Sequence, residues 1–377
     1  IVINVALHHG DGLPVEIVVT DHTGAFSDYL LPGLAHLAPD YATPINKRAA
    51  RVKDLTAFAE TYLASFVSEF QRIQEEFRRD PTTVHLSTDL PAELQREFGA
   101  DRIRVTPIAE NNFVGAAIGL AGSGFRTVAN LRMATFGFVA LDQFMNHAAK
   151  ITYMFGGQAR FPILYRMTVG AGISAAAEHS ISPYSMYMNV PGLKILLPTT
   201  PYDAKGLLKT ALRDNNPVIS FEHVLLGGMK GEVPEEEYFV PFGQAAVRRE
   251  GTDVTVVAFA KMVHDSLDAA ADLAREGISA EVIDPRTLVP LDRETILRSV
   301  HKTGRLVVVD EACRTCGVAG EILASATSDR SVFERLKAAP ARVCGLDVPI
   351  PFSPPMEKFV IPDKSKIVDA VREVMGR

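Results

Sequence analysis

The 377-residue chain has no tryptophan and only three cysteines, Cys313, Cys316 and Cys344. Three is odd and too few to staple so long a chain, so a disulfide scaffold is excluded. No apolar run approaches the roughly 20 residues of a membrane span, and the N-terminus lacks the charged-then-apolar order of a signal peptide. These absences predict a cytoplasmic protein. Dense Lys/Arg runs are missing too: the net charge is -6 and the pI about 6.0, which argues against nucleic acid or an anionic membrane as main partner. A small molecule or another protein is the expected partner.

What is present is apolar material: 47% of the residues are hydrophobic, enough for more than one core given domains of roughly 100–200 residues. Residues 1–50 form an N-terminal extension of unassigned role, with two short predicted strands around "HHGDG" and then a Pro- and Gly-spaced loop. Apolar residues from Leu55 to Phe77 recur at three- and four-residue steps and predict a long helix ending before Asp80-Pro81. Strands and helices then alternate. "TVHLS", "RIRVT", "RTVANLRM", "FPILYRM", "LKILLP" and "PVISFEH" read as strands, with helices over 111–123 and 139–155. Thr200 and Pro201 read as the N-cap and first residue of another helix. The acidic stretch 227–243 reads as an exposed linker, and a second series follows with strands "DVTVVAFA", "SAEVID", "RLVVVDE" and "ARVCGL". The fold class is therefore α/β, with mostly parallel sheets in domains over 51–226 and 244–377.

Several motifs carry less than they suggest. Gly170-Ala-Gly172-Ile-Ser-Ala175 looks like a dinucleotide fingerprint, but Pro183 arrives too soon for the long helix such a motif opens, and a flexible active-site loop is the better reading. "CRTC" lacks the further ligands that zinc requires. "HHGDG" is ordinary turn chemistry. Glu110 is different: it is the one acid in "TPIAENNFVGAAIGLAGSGF". Either it caps the helix that follows, or it is a half-buried functional acid; spacing leaves both open. His179, in a polar loop after a buried strand, stands equally between surface histidine and site residue.

The runs "TPIAENNFVGAAIGLAGSGFRTVANLRMATFGFVALDQFMNHAAKITYMFGGQ", "PGLKILLPTTPYDAKGLLKTALRDNNPVI", "EGISAEVIDPRTLVPLDRETILRSVHKTGRLVVVDE" and "PIPFSPPMEKFVIP" together resemble the β subunit of the thiamine-diphosphate-dependent E1 component of 2-oxo acid dehydrogenase complexes. The resemblance covers roughly residues 55–377, in order. It implies a pyrimidine-binding domain followed by a transketolase C-terminal domain. It further implies that Glu110 hydrogen-bonds N1′ of the cofactor's aminopyrimidine, that Phe136 lies against that ring, and that His179 acts on the substrate carbonyl or the incoming lipoyl group. "ALRDNNP" resembles a potassium loop of some members, with Ile163, Ala211, Leu212, Asp214 and Asn216 as oxygen donors. The superfamily's diphosphate and magnesium site lies on a separate domain. The resemblance therefore implies an α subunit and an α2β2 heterotetramer, with lipoyl-E2 as acyl acceptor and small residues Gly115, Ala116, Gly119 and Ala121 at a close contact.

Three departures bear on the substrate. "STDLPAELQREFG" replaces the family's "GEDVG…GG", Asn130 replaces an acid, and "EHSI" replaces "QHSQ". Besides a dehydrogenase, they admit a carboligase that joins the acyl unit to an aldehyde or ketone, and a non-catalytic interface subunit; retention of Glu110 and His179 counts against the last.

Overall fold

The computed structural model describes residues 80, 82–88 and 92–377. The N-terminal extension, "HHGDG" and the helix expected over 55–77 lie outside the described residues.

Two sheets organise the described chain. The first contains β1 (Thr83–Ser87), β2 (Ile103–Val105), β3 (Arg126–Met133), β4 (Ile163–Val169), β5 (Lys194–Leu196) and β6 (Val218–His223), all parallel. The second contains β7 (Ala246–Arg249), β8 (Val254–Ala258), β9 (Ala280–Asp284), β11 (Leu306–Cys313) and β12 (Ala341–Gly345) in the order β12-β11-β8-β9-β7, with only β7 antiparallel. Between β9 and β11, the strand β10 (Thr287–Val289) leaves its neighbours and adds an antiparallel edge to the first sheet, giving the order β10-β5-β6-β4-β3-β1-β2.

The central strands are buried on both faces, as parallel strands covered by helices must be. The helices of the first layer are α1 (Ala92–Phe98), α2 (Glu110–Gly122), α3 (Ile151–Met154), α4 (Ala176–His179), α5 (Tyr184–Met188) and α6 (Pro201–Arg213). Those of the second are α7 (Lys261–Arg275), α8 (Arg293–Thr303), α9 (Val318–Ser328), α10 (Arg330–Phe333), α11 (Pro354–Val360) and α12 (Lys364–Met375). One apolar core runs continuously from Phe113, Leu131 and Met167 under the first sheet to Val257, Val308 and Ile322 under the second. None of these helices is long and apolar enough to cross a membrane.

Local chemistry explains most boundaries. Thr200 caps α6, its hydroxyl accepting from the Asp203 amide at 3.1 Å, with Pro201 next. The single helix expected over 139–155 is instead a 3₁₀ segment over Ala134–Ala140, a π-helical turn over Gln143–Ala148 and the short α3. Tertiary packing overrides helical propensity there: Phe144 sits edge-on to Tyr165 and Tyr187, with ring centroids 4.7 and 5.6 Å away. The stretch 227–243 is largely exposed, yet it is strapped to α6. Tyr238 stacks on Tyr202 at 4.4 Å, and the buried Val240 lies against Gly206, where a Cβ would meet it at 2.5 Å.

Candidate active site

In parallel α/β sheets, chemistry collects beyond the carboxyl ends of the strands, and three residues follow such ends here. Glu110 opens α2 after β2, Phe136 lies in the 3₁₀ segment after β3, and His179 ends α4 after β4. β3 and β4 are neighbours, so their following segments meet: the rings of Phe136 and His179 are 5.3 Å apart, edge to face at 87°. The Thr135 hydroxyl donates to the Glu178 carbonyl and ties the two segments together. β2 lies two strands from β3, and α2, which Glu110 opens, packs against the 3₁₀ segment that carries Phe136.

Neither functional group is consumed by the fold. Glu110 is half-buried, follows Ala109 at φ -154°, and its carboxylate has no partner among the described residues. His179 is also half-buried, and among the described residues neither ring nitrogen has a hydrogen-bond partner. The small-residue row divides in two: Ala121 faces the core, whereas Ala116 and Gly119 are exposed, with nothing within 4 Å of a Cβ built on Gly119.

The loop bearing His179 was expected to be flexible, but the structure fastens it to the second layer. The Ala171 amide donates to the buried Glu311 carboxylate at 2.8 Å, and that carboxylate also lies 3.1 Å from Nε2 of buried His223. Burial alone would push the Glu311 carboxyl up; His223 and the Ala171 amide outweigh it and hold it below the usual range. Gly170 holds φ +100°, and a Cβ there would sit 2.3 Å from the His223 ring, so both backbone angle and space require glycine. Composition around this junction offered one signal, the Asp310-Glu311 pair ending an apolar strand. Nothing in "PPMEKF" singled out Glu357, which holds the same loop.

Next to Glu311, Asp310 is fully buried; it accepts from the Tyr184 hydroxyl and from the Ala312 amide at 3.0 Å, while its Oδ2 has no hydrogen-bond partner among the described residues. Burial raises its pKa to about 6 despite those donors. A raised carboxyl favours the protonated fold, so its ionised form begins to cost stability above pH 3.8 and costs the full amount above about 6. Relative to Asp310→Asn, the native chain should lose about 3 kcal/mol over the whole titration and about 1 kcal/mol between pH 5 and pH 7. Paired denaturant unfolding curves at the two pH values check this; a pH-independent difference would refute it.

The turn over Ala211, Leu212, Asp214 and Asn216 lies beside the start of β4, where Ile163 is, because the Phe161 amide donates to the Asn215 carbonyl at 3.1 Å. Two of its oxygens are already engaged: the Asp214 carbonyl accepts from Arg126 at 2.8 Å, and the Ala211 carbonyl from the Asp214 amide at 3.1 Å. The Asp214 carboxylate pairs with Lys194. Cys313 and Cys316 are exposed free thiols, and among the described residues no cluster of three or more His, Cys, Asp or Glu could hold a metal ion.

Residues 64–228 match the family described as transketolase, pyrimidine binding domain, and residues 243–367 that described as transketolase, C-terminal domain. The β subunit of an acetoin:2,6-dichlorophenolindophenol oxidoreductase from Cupriavidus necator is 45% identical over 324 residues, covering 81% of this chain and 95% of that relative. The pyruvate dehydrogenase E1 component subunit β of Bacillus subtilis is 41% identical over 283 residues, covering 75% and 86%. The chain belongs to the E1 β-subunit family of thiamine-diphosphate-dependent 2-oxo acid dehydrogenases. The 2-oxoisovalerate dehydrogenase subunit β of B. subtilis, 40% identical over 313 residues and covering 80% of this chain and 95% of its own, is a further relative. A solved split-gene transketolase, described as an inactive β4 tetramer, shares the fold with a TM-score of 0.68 at 24% identity, over 83% of this chain and 98% of that one.

The site suits one end of the family's cofactor. An unpartnered, half-buried carboxylate offers a flat heterocycle a hydrogen-bond acceptor for a protonated ring nitrogen, and the half-buried Phe136 offers it an apolar surface.

Proposed function

We propose that this chain is the β subunit of an α2β2 enzyme that decarboxylates a 2-oxo acid and passes the acyl group to the lipoyl group of an E2 protein. The placement of Glu110, Phe136 and His179 after the carboxyl ends of parallel strands of one sheet, with Phe136 and His179 in ring contact, supports this reading, because the acid and the imidazole make no hydrogen bond among the described residues. The cofactor, when bound, supplies the electron sink for decarboxylation. Glu110 holds a proton at the pyrimidine nitrogen, Phe136 fixes the ring plane and excludes water from one side, and His179 orients or protonates the carbonyl oxygen of the reacting group. The α subunit supplies most of the diphosphate and magnesium site. Exposed apolar residues in the segments leading into and out of the site, Val105, Ile108, Val139, Tyr153, Met154 and Phe155, suit such a partner, as do exposed Ala116 and Gly119. A cytoplasmic location accords with this role. The reading does not depend on potassium, since a guanidinium and a backbone amide already occupy two oxygens of the proposed turn.

The exposed Glu178 beside His179, where "QHSQ" was expected, favours a second acceptor, an aldehyde or ketone, as the alternative. Both readings are tested with the chain co-purified with its α partner, using a panel of 2-oxo acids with either a lipoyl domain or aldehydes present. Carbon dioxide release coupled to lipoyl acylation is expected. Release coupled only to C–C bond formation would transfer the assignment to the carboligase, and release by neither route would refute both. The β chain alone should release none.

A further inference from the structure

Three residues of the loop between β4 and α4 hold positive φ, Gly170 at 100°, Gly172 at 103° and Ser174 at 55°, as does Ala176, the first residue of α4, at 61°. Backbone of this kind persists only where its surroundings over-determine it, and such strain collects at functional sites. Glu311 holds the first part of the loop through Ala171. Glu357, on α11, holds the rest. Its Oε1 accepts from the Gly172 amide at 2.9 Å and the Ser174 amide at 3.2 Å. Its Oε2 accepts from the Ser174 amide at 3.0 Å and the Ser174 hydroxyl at 3.3 Å. Glu357 is only 3% exposed, and among the described residues every hydrogen bond to its carboxylate comes from this loop. Apolar contacts close the joint, with Ala171 packed among Ile350, Val360, Ile181 and Ile361.

A buried carboxylate that draws on one loop alone needs those donors, and the loop's left-handed residues need an acceptor that gathers their amides. Five residues after Ser174 the chain reaches His179, whose imidazole faces Phe136. We propose that Glu357 is a positioning residue for His179: it sets the path of Gly172 to Ser174 and so holds the imidazole at the site. The role rests on the functional reading given to His179 above.

Glu357→Gln in the full chain, assembled with the α subunit, tests it. Glutamine keeps the volume but turns an N–H toward the Ser174 amide. Amide exchange over residues 170–179 should quicken about tenfold while other segments and the melting temperature stay close to native. Turnover should fall about tenfold with KM changed less than threefold. In a His179→Ala background, Glu357→Gln should slow the enzyme no further, because the group it positions is gone. Glu357→Asp keeps the charge but withdraws it by one methylene, and should loosen the same segment. Native loop exchange in both variants, or losses that multiply in the double variant, would overturn the proposal. If the native assembly turned over no 2-oxo acid, the functional reading would fall, and loop exchange alone would decide whether Glu357 holds this segment.

Discussion

Replacing Glu110 by glutamine should leave the α–β assembly intact and lower turnover by a factor of about 10²–10³, within the range for a lost acid–base group. The substitution is nearly isosteric, and Glu110 makes no side-chain hydrogen bond among the described residues that the fold would miss. Its structural contribution is confined to a negative charge at the start of α2, a dipole interaction of about 0.3–1 kcal/mol. By contrast, a 10²–10³ fall corresponds to about 3–4 kcal/mol of barrier, so the two roles differ in magnitude as well as kind. The amide retains an acceptor oxygen but cannot hold a proton at the pyrimidine nitrogen. Cofactor affinity should therefore change far less than kcat, and titration calorimetry beside steady-state kinetics separates them. Turnover within threefold of native would reduce Glu110 to a helix-capping acid.

Much of this framework could be read before any coordinates. β3 coincides with "RTVANLRM", and Thr200 caps its helix as expected, because a buried parallel strand and an N-cap are written in neighbouring residues. The departures come where distant contacts decide. The π-helical turn depends on Phe144 fitting between two tyrosines far along the chain, and β10 leaves one sheet for another after a run that reads as a loop. Glu110, Phe136 and His179 stand as site candidates through family resemblance; spacing alone left the acid and the histidine undecided. Glu357 was not accessible at all. Its meaning resides in loop amides more than 180 residues earlier, and a lone acid just after two prolines does not announce such a partner.

Arg248→Met should destabilise the fold by about 3–5 kcal/mol, the cost of leaving buried carboxylates uncompensated. Arg248 on β7 donates to Asp284 at 2.6 and 3.0 Å and pairs with Asp203 at the start of α6, thereby joining the second sheet to a helix of the first. Asp203 is fully buried and Asp284 is 1% exposed, so water cannot replace the guanidinium. Arg286 lies 2.9 Å from the other oxygen of Asp203. Burial disfavours the charge of Arg248, but the Asp284 and Asp203 carboxylates outweigh it and raise its pKa, so the guanidinium stays charged at neutral pH. In the variant Asp284, whose carboxyl burial already holds above the usual range, loses the opposing pull of the guanidinium, and burial then favours its protonated form further. The deficit should therefore be largest near pH 7 and shrink as the pH falls toward 5, where protonation relieves the unpaired charge. Denaturant unfolding of native and variant assemblies across that range measures it. A loss below 1 kcal/mol, or one that grows on acidification, would show that this junction is held by apolar packing and the β10 crossover instead.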